Sequence, residues 1–99
     1  MNVTKMLQQA QRAQAEMQRA LAELEVEGSA GGGLVRVRIN GLKDLKGVSI
    51  DTGALAGEEP SLVEDLVVAA WEEATRQLEE KSREVLSRMG LPAGLSGLV

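Results

Sequence analysis

Between Val3 and Leu24 apolar residues fall at Val3, Met6, Leu7, Ala10, Ala13, Met17, Ala20, Leu21 and Leu24, three or four apart, with no glycine or proline among them. That spacing lays one apolar stripe along an α-helix, so an amphipathic helix is predicted. Lys5, Arg12 and Arg19 recur every seven residues and line up along one edge of it. They can form a cationic ribbon. They can equally be solvated charges, because Arg12 and Arg19 precede Glu16 and Glu23 by four residues, a spacing that supports exposed helices by about 0.3 kcal/mol per pair.

Past Leu24 the period changes to two. Leu24 and Val26 alternate with Glu25 and Glu27; Val35, Val37 and Ile39 alternate with Arg36 and Arg38, the pattern of half-buried strands. Pairing Val26 with Val37 sets Glu27 opposite Arg36 and Glu25 opposite Arg38, so acid meets base on one face and apolar meets apolar on the other. A third strand from Leu45 to Asp51 then places Val48 across from Ile39, Ile50 across from Val37 and Asp51 beside Arg36. The connection NGLKDLKG supplies Asn40-Gly41 turn chemistry.

The glycines of GSAGGG, residues 28–33, pose a choice between a phosphate cradle and a bend. A phosphate-binding glycine loop leads from a strand into a helix and carries a Lys-Ser/Thr or GxGxxG pattern. Here the glycines lead into a strand and neither pattern is present, so a hairpin is expected, with Gly31, Gly32 and Gly33 supplying unusual backbone angles. Arg36 and Arg38 accordingly read as cross-strand partners of acids.

The last element is predicted to start near Pro60, capped by Ser61 with Glu64 in the S-x-x-E spacing, and to run about 28 residues to Gly90. Its first part, LVEDLVVAAW, is apolar over more than half its circumference; beyond Thr75 the stripe narrows to Leu78, Val85, Leu86 and Met89. A band so wide implies contact on two sides. One side faces the sheet, and the other meets a second subunit through Leu66, Val67, Ala70 and Trp71, unless all of these fill one chain's core. Both helices outrun a three-stranded sheet and are expected to project. Residues 1–89 read as one domain and residues 90–99 as a flexible tail. No internal repeat is evident.

Composition narrows the chemistry. A 99-residue chain buries only a modest core, which favours self-association. It holds no His, Cys, Tyr or Phe, so the usual general base, thiol nucleophile and soft metal ligands are missing, and neither an enzyme nor a metal protein is expected. Asp51, Glu58 and Glu59 read as solubilising surface. With no secretory leader and no apolar run long enough for a bilayer, the expected compartment is the cytoplasm, with no membrane partner. The net charge of −4 divides unevenly, +2 over residues 1–50 and −6 over the remainder. A basic half suggests an anionic partner, although the overall acidity gives little long-range attraction to nucleic acid.

Taken in order, KMLQQAQRAQAEMQ, LEVEGSAGGGLVRVRING, VSID, LVEDLVVAAWEEATRQLEEKSRE and GLPAG resemble the YbaB/EbfC family of bacterial nucleoid-associated proteins over nearly the whole chain. The resemblance implies an α+β subunit of helix, three-stranded antiparallel sheet and long helix. It implies a tweezers-like homodimer, joined through the sheet and the start of the last helix, with Val35 and Val37 at the interface beside Leu66, Val67, Ala70 and Trp71. It further implies double-stranded DNA binding with weak or no sequence preference, a nucleoid location, and no enzymatic activity, cofactor or small-molecule substrate. Fold-defining family positions correspond to Gly31, Gly33, Leu34, Val35, Asn40, Gly41, Asp65, Leu66 and Ala70.

Because the family has no sharp DNA-contact motif, candidate contacts follow from charge. Single-strand binding needs aromatic platforms, and only Trp71 is available, so a duplex backbone is the better target. The candidates are Lys5, Arg12 and Arg19 on the first helix and Arg76, Lys81, Arg83 and Arg88 on the last, with Lys43 and Lys46 as lesser ones. Flanking acids such as Glu79, Glu80 and Glu84 predict modest, salt-sensitive affinity. The competing reading is a dimeric adaptor whose exposed helices grip a partner protein.

Overall fold

The computed structural model describes residues 2–88 and 90. Five elements follow one another: α1 (Val3–Glu23), β1 (Glu25–Ala30), β2 (Val35–Asn40), β3 (Leu45–Ile50) and α2 (Pro60–Arg88). The expected α+β order of helix, antiparallel sheet and long helix is the observed one. The expected tail lies outside the described residues apart from Gly90, as does Met89 of the distal stripe.

Asn2 caps α1, its side-chain oxygen accepting the Lys5 N–H at 3.2 Å. The helix stops at Leu24, which turns extended while its N–H still reaches the Ala20 and Leu21 carbonyls. The chain enters β1 directly.

The strands lie in the order β1-β2-β3, all antiparallel. Their register differs from the expected one by two residues. Val26 pairs with Ile39 and Gly28 with Val37, because Gly28, Ser29 and Ala30 belong to β1 and only residues 31–34 form the turn. On the other side Val48 pairs with Val37 and Ile50 with Val35, and a bulge skips Lys46 so that Leu45 meets Ile39. Apart from Leu45, which the bulge carries to the apolar face, a shift of two leaves each side chain on its predicted face but changes its partner. Glu27 therefore stands opposite Arg38, and Arg36 lies between Ser29 and Ser49. Asp51 falls beyond the strand, its N–H donating to the Leu34 carbonyl at 2.8 Å.

α2 packs across β1 and β2. It begins at Pro60, which fits the first helical position, so Ser61 sits inside the first turn and is not the cap the spacing suggested. Its buried residues Ala70, Ala74, Leu78, Ser82 and Leu86 recur every four positions. The first three join Val26, Val35, Val37, Ile39 and Leu55 in the core. Leu55 comes from the loop before α2, where Asp51 Oδ1 accepts the Ala54 N–H at 3.0 Å.

The molecule measures 69 × 19 × 17 Å. A six-residue strand spans about 20 Å, so the short dimensions are those of the sheet and the long one comes from the helices. Every residue from Asn2 to Glu16 is exposed, whereas Met17, Ala20 and Leu21 near the end of α1 are partly or wholly covered. α1 is thus rooted at its C-terminus, and its first four turns stand clear of the described chain.

Candidate nucleic-acid interface

The root of α1 is set by the β2–β3 turn. Gly41 N–H donates to the carbonyls of Leu21 (2.8 Å) and Leu24 (2.9 Å), satisfying groups a helix end leaves open. A Cβ on Gly41 would overlap the Leu21 carbonyl and come within 2.9 Å of its Cα, so glycine permits the docking. Buried Asn40 organises the turn: its Oδ1 accepts from the N–H groups of Leu42 (2.9 Å) and Asp44 (3.0 Å), and its Nδ2 donates to Asp44 Oδ2 at 3.2 Å.

On the arm so fixed, Lys5, Arg12 and Arg19 are exposed. The pairing of Arg12 with Glu16 and of Arg19 with Glu23, open from spacing alone, is not made: among the described residues no acidic group lies within 4.0 Å of any of the three cations. Arg12 and Arg19 flank one shallow groove with Ala15 and Glu16.

The cations of α2 differ. Arg76 is hydrogen-bonded to Glu73, while Lys81 and Arg88 both lie 4.0 Å from Glu84. Glu73 also accepts from Gln77 Nε2 at 3.0 Å. The bonds from Gln77 and Arg76 hold its carboxyl below the ordinary glutamate value, and the same contact raises Arg76. Arg83 has no such partner among the described residues. Lys43 and Lys46, on and after the β2–β3 turn, are exposed and equally free.

The sheet's outer face carries no helix and is polar, with Glu25, Glu27 and Ser29 on β1, Arg36 and Arg38 on β2, and Ser49 on β3. Arg38 Nε lies 3.6 Å from Glu25, diagonally across the ladder, and its guanidinium donates to the Lys46 carbonyl at 3.4 Å. Arg36, which pattern reading assigned to Glu27 and Asp51, has neither as an ion-pair partner and joins the free cations. Only the register, invisible to alternation, sets it apart.

An apolar groove of about 430 Å³ runs between β3 and α2, lined by Val37, Leu45, Val48, Val67, Val68 and Trp71. It exists because α2 covers β1 and β2 and leaves Leu45, Val48 and Val68 at 57%, 46% and 55% exposure. Of the expected interface residues, Leu66, Val67 and Trp71 are partly open, but Val35, Val37 and Ala70 are at 0–1%. Those three pack in the chain's own core, and Val37 also borders the groove. Among the described residues no group of three or more acidic side chains converges as a metal site, and no helix is long and apolar enough to cross a membrane.

A small α+β chain thus displays a helix of unpaired cations and, apart from it, an uncovered apolar groove. The chain belongs to the YbaB/EbfC DNA-binding family, whose model matches residues 1–93. It is 46% identical over 86 residues to a nucleoid-associated protein of Bradyrhizobium diazoefficiens, covering 83% of this chain and 81% of that one. A nucleoid-associated protein of Acinetobacter baumannii is 41% identical over 109 aligned positions, covering 99% of both chains. The crystal structure of an uncharacterized Helicobacter pylori protein shares the fold, with a TM-score of 0.70 at 21% identity over 90% of this chain and 97% of that one.

Proposed function

We propose that the protein is a homodimeric, nucleoid-associated factor that binds double-stranded DNA through its phosphate backbone with little base preference. The observation that carries this reading is the ribbon of Lys5, Arg12 and Arg19, exposed and unpaired along α1, whose residues from Asn2 to Glu16 are exposed on all sides. Unpaired cations release counterions from a phosphate row when they bind, and they carry no base information. The names of the family and of the relatives support its DNA-binding and nucleoid parts.

The dimer supplies the second arm. We assign its interface to Leu66, Val67 and Trp71 together with Leu45, Val48, Ile50 and Val68, the apolar surface that one chain leaves open. Apolar area of that kind draws a second copy. The α2 cations Arg76, Lys81 and Arg88, already engaged by acids, contribute less than the α1 ribbon; Arg83 and Lys46 add outlying positive charge.

Fluorescence anisotropy with a random-sequence duplex over a salt series tests the reading. Three cations on each of two arms contribute about −5 to the slope of log K against log salt. Arg12→Glu and Arg19→Glu flatten it and weaken binding; unaltered binding by both variants removes the arms from the interface. The adaptor alternative draws on the exposed Val3, Met6 and Leu7 of α1, at 63%, 52% and 59%, and gains ground only in that second case.

A further inference from the structure

We propose that Lys43 at the β2–β3 tip is a fixed phosphate contact that registers the duplex against the root of α1, an inference that rests on the duplex-binding reading above. Lys43 is the one non-glycine residue of the described chain with left-handed backbone, at φ 66°. Glycine adopts that conformation without penalty and a residue with a Cβ does not. A long cationic side chain held there at a cost is explained by what its ammonium reaches.

The backbone around it is clamped. The Lys43 N–H donates to the Asn40 carbonyl at 3.0 Å, and the flanking Leu42 and Asp44 N–H groups both donate to Asn40 Oδ1. Asp44, the nearest acid in sequence, has one carboxylate oxygen taken by Asn40 Nδ2 and forms no ion pair with Lys43 among the described residues. The ammonium therefore moves only on its own stem.

The same turn is bonded to α1 through Gly41, with Leu21 and Leu24 as acceptors. The intervening bonds cap the distance between the Cα atoms of Lys43 and Arg19 at roughly 20 Å. The two residues are thus at most about six base pairs apart at ~3.4 Å each, a span within the length of one short duplex.

The test uses the full chain, a random-sequence duplex, and Lys43→Gly, Lys43→Arg and Arg12→Glu beside the parent. Lys43→Gly is expected to melt above the parent because the strain is relieved, yet to bind several-fold more weakly. Its salt slope should be shallower by about 0.9 per lost contact. Lys43→Arg, which keeps both strain and charge, should bind as the parent does. Parental affinity and slope in Lys43→Gly while Arg12→Glu fails would overturn the tip contact and leave the arm reading intact. Equal losses in Lys43→Gly and Lys43→Arg would overturn it too, since charge would not be the cause. Parental binding by Lys43→Gly and Arg12→Glu together would remove both readings.

Discussion

Gly28 lies so close under Ala74 that a Cβ added to it would collide with the Ala74 backbone nitrogen and come within 2.7 Å of its Cα. The carbonyl of Ala70 closes the same space. Glycine in mid-strand on β1 and alanine twice on α2 let helix and sheet approach at backbone contact, and the register of the whole hairpin is tied to that point.

Gly28→Ala is therefore expected to destabilise the fold by about 3 kcal/mol, the upper range for overpacking, because the obstructing atoms are backbone and cannot rotate away. For a domain of this size that corresponds to a fall in Tm of roughly 15 °C, measured by circular dichroism at fixed protein concentration. Gly32→Ala meets no atom within 4 Å, but its φ of 71° is left-handed. It should lose only about 1 kcal/mol.

Asn40→Ala should loosen the junction between turn and arm. It strips the acceptor from the Leu42 and Asp44 amides and the donor from Asp44, a loss of about 2 kcal/mol for partly buried groups. Hydrogen exchange is the direct measurement. Residues 41–44 and the last turn of α1 should lose protection, while the α2 residues over β1, Ala70 and Ala74, keep theirs.

The elements were legible from spacing because helix and strand periods differ and both helices lack internal breakers. What alternation could not supply was register, since a shift by two keeps each residue on its face. Val26, Val37 and Arg36 kept the sides that pattern assigned them, yet Arg36 exchanged acids for Ser29 and Ser49. The candidate site was legible to the same degree. The sequence places Lys5, Arg12 and Arg19 on one edge but is silent on whether Glu16 and Glu23 engage them. Exposure of Leu45 and Val48 was hidden because it depends on which two strands α2 chooses to cover.

Substitutions on either side of the β-sheet core should separate assembly from folding. Val48→Lys puts a charge into the uncovered groove and is expected to give a folded monomer, with parental helicity and half the mass in sedimentation. Val35→Lys buries an unpaired charge in the chain's own core and should unfold it. A dimer that persists in Val48→Lys would move the interface to another surface.

Relief of the Glu73 clamp is the sharpest test of why α2 is ranked below α1. Glu73 titrates below its ordinary value because Gln77 and Arg76 hydrogen-bond its ionised form. Its contribution to stability is thus present above the unfolded value near 4.5 and is lost as pH falls through the lowered folded value. At neutral pH Arg76 stays engaged. Glu73→Gln removes one negative charge and releases Arg76, so it should bind duplex a few-fold more tightly and steepen the salt slope by about 0.9 for each Arg76 that reaches a phosphate. Arg76→Ala in the parent background should change binding little. If Glu73→Gln tightens binding with no change of slope, the gain is the long-range effect of one less negative charge and Arg76 does not touch DNA; if Arg76→Ala weakens the parent as much as Arg12→Ala does, the two helices contribute equally and the ranking is wrong.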